Sequence, residues 1–283
     1  MAAKEKDAIT GVETTGHEWD GIKELNNPLP AWWLYTFYVC IAFSVLWWVL
    51  YPSWPAHTGY LGGVLGYDQR EDVVERLKEA RAAQAVWLDR IEQLDPQAIA
   101  ADPELLAFAV AGGEVAFKEN CAPCHGLGGA GQHSYPTLAD DAWIWGGTLD
   151  DINYTIRHGI RNNDDDDARF SEMPAFGDVL SAEDISNVAD YVLSLAGGPA
   201  NEAGAQVFAD NCASCHGENG GGDLTVGAPA LDDAIWLYGG DKDAIVAQIS
   251  HPRMGVMPTW QGRLDDDTIK MLTVYVHSLG GGK

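Results

Sequence analysis

One uninterrupted apolar run dominates the hydropathy pattern of the chain. It extends from Trp32 to Tyr51 and contains twenty residues without a charge. A helix of that length rises about 30 Å, which is enough to cross the hydrocarbon core of a bilayer. A buried core helix of this length usually keeps a polar face, and a cleaved signal peptide would be shorter and followed by small residues. The pattern therefore predicts one retained transmembrane helix over 31–52.

The residues that flank the apolar run indicate how it lies in a membrane. Tryptophans cluster at both of its ends, where amphipathic rings favour the interface between water and lipid. We therefore expect direct contact with membrane lipid. Basic residues precede the run, and the next one follows only at Arg70, which predicts a cytoplasmic N-terminus. The basic residues before the run are Lys4, Lys6 and Lys23.

Helical periodicity returns beyond the membrane segment. Between Asp68 and about Leu94, apolar residues recur at helical spacing, which predicts an amphipathic helix. Four glycines before it predict a flexible neck. We assign 1–30 to an N-terminal cytoplasmic segment and 53–107 to a linker with an amphipathic helix. The glycines of the neck are Gly59, Gly62, Gly63 and Gly66.

The rest of the chain is a tandem repeat of a unit of about 80–90 residues. The pattern Gly-x-x-x-Phe-x-x-Asn-Cys begins at Gly113 and again at Gly204. Each copy reads as a helix, a long loop and a helix, and no alternating strand pattern appears. The repeat predicts two domains of one fold, over 108–199 and 200–283.

Each repeat also carries the pattern Cys-x-x-Cys-His, the signature of covalent c-type haem attachment. On one helical turn, the two thiols reach the two vinyl groups of a porphyrin while the imidazole faces the iron. A redox dithiol would need a βαβ context, and a structural zinc would need four clustered ligands, whereas the motifs lie in separate repeats. The sequence predicts two covalent haem c groups, attached through Cys121, Cys124, Cys212 and Cys215.

An iron that only carries electrons needs a second axial ligand besides the histidine of the motif. Met173 and Met257 stand at equivalent positions of the repeats, each before a proline, downstream of His125 and His216 respectively. A thioether is soft and stabilises ferrous iron. Met254 has no counterpart in the first repeat. These four residues are the predicted iron ligands, and the pattern leaves open whether each methionine serves the haem of its own repeat or of the other.

The fold class follows from these assignments. We predict an all-α chain with one N-terminal transmembrane helix followed by two tandem cytochrome c-type haem domains. His158 and His251 also align between the repeats. They are alternative axial ligands or structural residues, and we favour the structural interpretation. The acidic run 164–167 could serve as a cation site or as a contact for a basic donor protein. We favour a third interpretation, in which it is a solvated loop. Candidates for the pocket walls and the propionate partners are Trp143, Trp145, Trp236, Tyr238, Arg157, Arg161 and Arg253.

Charge constrains the partners. The 283 residues include 42 acidic and 17 basic ones, for a net charge of −25. Nucleic-acid binding needs a basic face, so nucleic acid is excluded as a partner. The acidic surplus suits either solubility or a positively charged partner. The fifth cysteine, Cys40, lies in the apolar run, where packing is the ordinary role of a lone thiol.

Three further features of the sequence carry a resemblance to a known family. The entry to the membrane helix, 18–30, reads EWDGIKELNNPLP, and the exit, 51–55, reads YPSWP. An asparagine precedes the first cysteine of each haem motif. With these features the chain resembles, over nearly its whole length, the dihaem FixP/CcoP subunit of cbb3-type cytochrome c oxidases. The membrane-entry segment is the specific part, because many dihaem cytochromes share the haem motifs alone.

The resemblance implies a single-pass subunit of a bacterial inner membrane, with a cytoplasmic N-terminus and both haem domains in the periplasm. It implies electron transfer from a soluble periplasmic cytochrome c or a quinol–cytochrome c reductase. The electrons would pass to a monohaem cytochrome c subunit and a catalytic haem–copper subunit that reduces O2 and pumps protons. The chain itself would have no catalytic residues. Alternatives are a stand-alone membrane-tethered dihaem carrier or the cytochrome subunit of a dehydrogenase, and two Met-Pro motifs argue against a peroxidase.

Overall fold

The chain separates into two units, Met1–Ala83 and Gln84–Lys283. The computed structural model describes residues 5–280. Lys4, one of the three lysines on which the predicted orientation depends, lies outside the described residues. Within them helices dominate, which confirms the predicted all-α class, and the strands form two short hairpins in the first unit.

The first unit contains a hairpin and the predicted membrane helix. Strand β1, Thr14–Trp19, pairs antiparallel with strand β2, Ile22–Leu25. The turn between them places two residues at positive φ, as tight hairpin turns require. Helix α1, Ala31–Leu50, follows, and none of its side chains is buried within the chain. By length and composition α1 is a candidate membrane span, which agrees with the predicted transmembrane helix.

The segment after α1 is folded rather than flexible, so the predicted neck is wrong. Strand β3, Pro55–Ala56, pairs with strand β4, Gly59–Tyr60. The chain then returns to α1, where the Val64 amide donates to the Val49 carbonyl at 2.9 Å. A Cβ at Gly63, with φ +73°, would lie 2.5 Å from the carbonyl oxygen of Leu50. Glycine serves close approach of two backbones here, not mobility.

The second unit is helical. The amphipathic helix predicted between 68 and 94 is confirmed, and a long helix that Asp102 caps extends to Asn120. The helices, with a short 3₁₀ turn over Leu127–Gly129, are α2 Gln69–Gln93 (which begins in the first unit), α3 Pro96–Ala101, α4 Pro103–Asn120, α5 Ala122–His125, α6 Leu149–His158, α7 Ala182–Leu195, α8 Glu202–Asn211, α9 Ala213–His216, α10 Lys242–Ser250 and α11 Asp266–Ser278.

Side-chain caps set the starts of these helices. Ser181 accepts a hydrogen bond from the Asp184 amide at 3.1 Å, and Asp265 accepts one from the Thr268 amide at 3.0 Å. Serine and aspartate are typical at helix starts, because their side-chain oxygen satisfies one of the free amides of the first turn. These two caps start α7 and α11, the last helix of each repeat.

Two hydrophobic cores in the second unit each draw helices from both repeats. Cluster I consists of α4, α5, α6 and α11, and cluster II consists of α7, α8, α9 and α10. A third core lies on the other side of α4 and α11, where it fixes α3 and the C-terminal end of α2 through Ile91, Ile99 and Leu105. The fully buried aromatic residue is Phe117 in cluster I and Phe208 in cluster II.

The same contacts recur where the first and last helices of each cluster cross. In cluster I, the Phe117 ring of the first repeat lies 5.3 Å from the Tyr275 ring of the second, in a tilted arrangement. In cluster II, Phe208 of the second repeat meets Tyr191 of the first at 5.1 Å. A glycine four residues before each phenylalanine lets the helices approach. Each cluster is therefore completed by the last helix of the other repeat.

This exchange bears on the predicted domain bounds. The bounds 108–199 and 200–283 stay a prediction for two homologous segments. The packed cores do not follow those segments, because α11 packs on α4 and α6, whereas α7 packs on α8 and α10. The sequence repeat identifies copies of one unit, but it does not identify which copies of the helices pack together.

Candidate haem sites

The two Cys-x-x-Cys-His motifs adopt the same conformation at the ends of α4 and α8. Cys121 caps α4, and its amide donates to the Phe117 carbonyl at 2.8 Å. Cys212 caps α8 in the same way, through the Phe208 carbonyl at 2.8 Å. In each motif the histidine ends the following single turn, α5 or α9. The second cysteine of each pair is exposed, and no disulfide joins any of the four.

The first cysteine of each motif is set in an apolar environment. Cys121 packs against cluster I, and Cys212 packs against cluster II. The pKa of each of these thiols is raised to about 11, mainly by burial and to a smaller extent by the nearby second cysteine of the pair. Both thiols are therefore protonated at neutral pH. Such a thiol is inert as a redox dithiol, which needs a stabilised thiolate.

Each motif histidine is oriented by a proline carbonyl. The Nδ1 atom of His125 lies 3.0 Å from the Pro136 oxygen, and that of His216 lies 2.9 Å from the Pro229 oxygen. The carbonyl can only accept, so Nδ1 carries the proton and Nε2 keeps its lone pair. Burial lowers the pKa of both imidazoles, which favours the neutral form. A neutral, oriented imidazole with a free Nε2 is what an iron ligand requires.

The loop of Met257 lies against the first repeat. The amides of Ile160 and Met257 each donate to the other's carbonyl at 3.0 Å. Farther along the loop, the Trp260 amide donates to the Ile156 carbonyl of α6 at 3.2 Å. The Met257 side chain packs against the core that also holds Cys121. The second repeat therefore supplies the methionine beside the first haem motif.

The loop of Met173 lies against the second repeat in the equivalent way. The Phe176 amide donates to the Ile249 carbonyl of α10 at 3.1 Å, and the Gly177 amide donates to the Ser250 carbonyl at 3.2 Å. The Met173 side chain packs against the core that holds Cys212. The structure thus groups each predicted methionine with the haem motif of the opposite repeat, a choice that the sequence pattern left open.

The two histidines that offered an alternative ligand set, His158 and His251, differ in their surroundings. His158 Nδ1 is 3.1 Å from Asp165 Oδ2, and its ring lies 4.5 Å from that of Tyr154. His251 is exposed. Ligand atoms of His158, Asp165 and Asp167 lie within 4.8 Å of one another, but hydrogen bonds within the loop account for that proximity. The acidic run 164–167 is thus partly an ordered loop.

Buried donors without partners test whether haem fits here. Among the described residues, no acceptor lies within reach of Trp143 Nε1, in cluster I, or of Arg169 Nε. A buried donor left unpaired costs about 1–3 kcal/mol, so an acceptor from outside the chain fits both atoms. A haem propionate is an acceptor of this kind. Glycines let the backbone pass close to two of the predicted wall residues. A Cβ at Gly147 would lie 2.6 Å from the Trp143 ring, and a Cβ at Gly240 would lie 2.4 Å from the Trp236 ring.

The three arginines predicted as propionate partners are engaged within the chain. Arg157 pairs with Asp266 of α11. Arg161 donates to two backbone carbonyls. Arg253 donates to the Tyr238 carbonyl at 3.0 Å. Sequence reasoning missed Arg169, whose guanidinium lies over the Trp145 and Tyr154 rings. Its Nη2 donates to Asp151 Oδ1 at 3.1 Å, and only its Nε has no partner among the described residues. The available signal was that arginines are scarce in this chain and that this one lies close to Met173.

Comparison with known proteins agrees with this architecture. Residues 11–58 match the family described as the N-terminal domain of cytochrome oxidase-cbb3, FixP. Residues 109–196 match cytochrome c, and 199–276 match cytochrome C oxidase, cbb3-type, subunit III.

Curated relatives extend over the full chain. The cbb3-type cytochrome c oxidase subunit CcoP of Azospirillum brasilense is 54% identical over 296 residues, covering 100% of both chains. The subunit FixP of Azorhizobium caulinodans is 53% identical over 282 residues, covering 98% of this chain and 96% of the relative. The subunit FixP of Rhizobium meliloti is 51% identical over 289 residues, covering 100% of both.

Proposed function

Because the chain belongs to the CcoP/FixP family and is an electron-transfer subunit of a cbb3-type cytochrome c oxidase, we propose that it carries two covalent haem c groups and relays electrons from periplasmic donors to the catalytic core. The observation that carries the proposal is the recurrence of one constellation in both clusters: paired thiols, a histidine held by a proline carbonyl, and a methionine loop. Haem c, when bound at these motifs, supplies an iron that gains and loses one electron.

The chain's own residues hold that iron in a form suited to transfer alone. The Pro136 and Pro229 carbonyls fix the tautomer and ring orientation of His125 and His216. Met173 and Met257 would serve as the second iron ligands, and a haem held in this way would have no open position for a substrate. We therefore propose no catalytic residue in this chain, with O2 reduction assigned to another subunit. Cys121, Cys124, Cys212 and Cys215 are the proposed attachment sites.

The ligand pairs are crossed between the repeats. We assign His125 and Met257 to the haem at Cys121, and His216 and Met173 to the haem at Cys212. The support is backbone pairing: Met257 exchanges two hydrogen bonds with Ile160 of the first repeat, and the Met173 loop donates twice to α10 of the second. A methionine that served its own repeat would have to leave these contacts.

Helix α1 is the proposed anchor in the bacterial inner membrane. Its apolar surface is wholly exposed, and aromatic pairs gather where it ends: Trp47 lies 4.2 Å from Tyr51, and Trp48 lies 5.0 Å from Trp54. Such rings stabilise a helix end at the lipid interface. Lysines before α1 and none soon after it favour a cytoplasmic N-terminus and periplasmic haem domains.

The partners follow from the oxidase. We propose that the chain assembles with a catalytic haem–copper subunit and a monohaem cytochrome c subunit. Its electrons come from a soluble periplasmic cytochrome c or from a quinol–cytochrome c reductase, and they support O2 reduction and proton pumping by the complex. The second candidate is a stand-alone membrane-tethered dihaem carrier, which the same haem sites would serve equally well.

Purification in mild detergent tests the proposal. We expect a pyridine haemochrome assay to give two covalent haems per chain, and a C121A/C124A variant to give one. The chain should co-purify with a membrane complex that contains copper and b-type haem. Fewer than two covalent haems in the unaltered chain would contradict the haem assignment, whereas a solitary dihaem chain would favour the stand-alone carrier.

A further inference from the structure

One arginine reaches both methionine loops. Arg161 Nε donates to the Gly255 carbonyl at 2.8 Å, and its Nη1 donates to the Ser171 carbonyl at 3.1 Å. Gly255 stands two residues before Met257, and Ser171 stands two residues before Met173. A single guanidinium therefore bonds equivalent backbone positions of the two loops, one in cluster I and one in cluster II.

The backbone at this point directs the side chain into that position. Arg161 has φ +51°, a left-handed conformation that non-glycine residues adopt rarely and at a cost. It is held there by the hydrogen bond from its amide to the Arg169 carbonyl at 2.8 Å. The preceding residue, Ile160, pairs with Met257 in both directions. The strained residue thus lies between the Met257 loop and the segment that returns at Arg169, and hydrogen bonds to both sides hold it there.

Within the described part of the second repeat, 200–280, no arginine makes an equivalent contact. With His158 aligned to His251, the residue in the place of Arg161 is Met254. The neighbouring Arg253 donates through Nη2 to the Tyr238 carbonyl within its own repeat, with its guanidinium 4.8 Å from the Tyr238 ring. The loop between Arg161 and Met173 is longer than its counterpart between Met254 and Met257. The extra length lets the chain leave Arg161, form the acidic run and return past the same guanidinium at Ser171.

We propose that Arg161 is a positioning residue that holds the two methionine loops through one guanidinium, so that methionine ligation of one haem depends on that of the other. This inference rests on the proposed ligation by Met173 and Met257. Guanidinium donors suit the role because they project in fixed, divergent directions, and hydrogen bonds from a charged donor are roughly twice as strong as neutral ones. Half-burial lowers the pKa of Arg161, with Tyr238 and Glu172 opposing, yet arginine stays protonated.

The test compares R161Q, R161K and a control in the intact purified oxidase complex. Two quantities are measured for each haem: its midpoint potential and the far-red absorption band of methionine-ligated ferric haem. R161Q removes the charge and one direction of bonding, so we expect both potentials to fall and both bands to weaken. R161K keeps the charge but lacks the fork, so we expect intermediate changes of the same sign at both haems.

The matched control is R263Q. Arg263 also lies in the Met257 loop region, but its guanidinium sits over the Trp260 ring, 5.8 Å from the centroid, rather than on a loop carbonyl. Loss of this charge should leave the haem served by Met173 unchanged. If R263Q lowered both potentials as far as R161Q does, charge alone would explain the effect and the positioning role would be wrong.

The remaining outcomes separate the inference from its premise. A wild-type complex without the far-red band would contradict methionine ligation itself. A wild-type complex with the band, and an R161Q complex identical to it, would overturn the role of Arg161 alone, as would a change confined to one haem. Should R161Q fail to assemble, R161K decides the question, because wild-type behaviour of R161K would show that the fork is not needed.

Discussion

Cluster I and cluster II contain copies of one sequence unit, but they brace their methionine loops differently. In cluster I, the hydroxyl of Thr259, two residues after Met257, lies 2.5 Å from the Arg157 carbonyl oxygen of α6 and 3.1 Å from Asp165 Oδ2, and its single proton is shared between these two acceptors. The same carboxylate accepts from His158 at 3.1 Å and from the Asp167 amide at 2.9 Å. A network of side chains therefore ties the Met257 loop to α6 and to the acidic loop of the first repeat.

Cluster II lacks this network at the aligned positions. Ala175 stands two residues after Met173, in the place of Thr259, and the aligned histidine His251 is exposed. The Met173 loop is attached to α10 through backbone hydrogen bonds and to Arg161 through the Ser171 carbonyl. The difference shows that an insertion in one repeat supports the ligand loop of the other, which is possible because the last segments are exchanged.

The largest expected effect concerns the crossed ligation itself. In a C212A/C215A background, only the haem at Cys121 is attached covalently. We expect M257A in this background to abolish the far-red methionine–iron band, because Met257 packs against the same hydrophobic core as Cys121. M173A in the same background should leave the band intact. The measurement is the ferric absorption spectrum of the purified chain.

The reciprocal background provides the control for this experiment. With C121A/C124A, M173A should abolish the band and M257A should not. If each methionine instead governs the haem of its own repeat in both backgrounds, the exchange of segments is wrong. Spectra that lose the band with either methionine variant would point to collapse of the fold rather than to a ligand.

Close helix crossings allow a second test, with effects of intermediate size. A Cβ at Gly204 would lie 2.0 Å from the Asn187 oxygen of α7, and one at Gly113 would lie 2.3 Å from the Met271 oxygen of α11. Both neighbours are backbone atoms, so each helix pair must separate. We expect G204A and G113A to lower the free energy of unfolding by about 1–3 kcal/mol, as overpacking does. Chemical unfolding of the detergent-solubilised chain, followed by the haem spectrum, measures it.

The control is G221A, at a glycine where a Cβ would meet no atom closer than 4.0 Å. Its stability should match that of the wild-type chain. Because both crossings join helices of different repeats, equal stability of G204A and G221A would contradict the described contact between α8 and α7. A larger loss for G204A than for G113A would agree with the closer approach in cluster II.

The sequence predicted the elements better than their association. Local chemistry determines a helix start, so the caps at Ser181 and Asp265 were readable, as were the apolar span of α1 and the helix α2. The duplicated motifs also brought out the four cysteines and the paired histidines and methionines. Such features depend on neighbours in the chain and need no knowledge of the fold.

The association of the repeats was not readable, for a physical reason. The two copies of the last helix are similar amphipathic segments, and either copy could cover either core. The choice depends on loop lengths and on close contacts such as Gly113 with Met271, which become visible only in three dimensions. For the same reason the acidic run 164–167 read as solvated, although Asp165 braces the opposite repeat. The short hairpin over β1 and β2 escaped because its exposed strands show no alternation.

The smallest expected effect is a pH dependence confined to cluster I. Hydrogen bonds from the Asp167 amide, and then from His158 and Thr259, hold the pKa of Asp165 below its usual range. A carboxyl whose native pKa is lowered contributes stability that is complete above the unfolded value of about 3.9 and is lost as the pH falls through the native value. The brace on the Met257 loop should therefore weaken only in acid.

D165N tests this by removing the ionised carboxylate. The measurement is displacement of methionine by added imidazole at each haem, compared between D165N and wild type. We expect easier displacement in D165N at the haem served by Met257, by a constant factor between about pH 5 and 7, and a difference that shrinks below about pH 4. The neighbouring variant D164N removes the same charge from outside the network and should behave as wild type. Equal effects at both haems would show that Asp165 does not distinguish cluster I from cluster II. A difference between D165N and wild type that persists in acid would show that the ionised carboxylate is not what holds the Met257 loop.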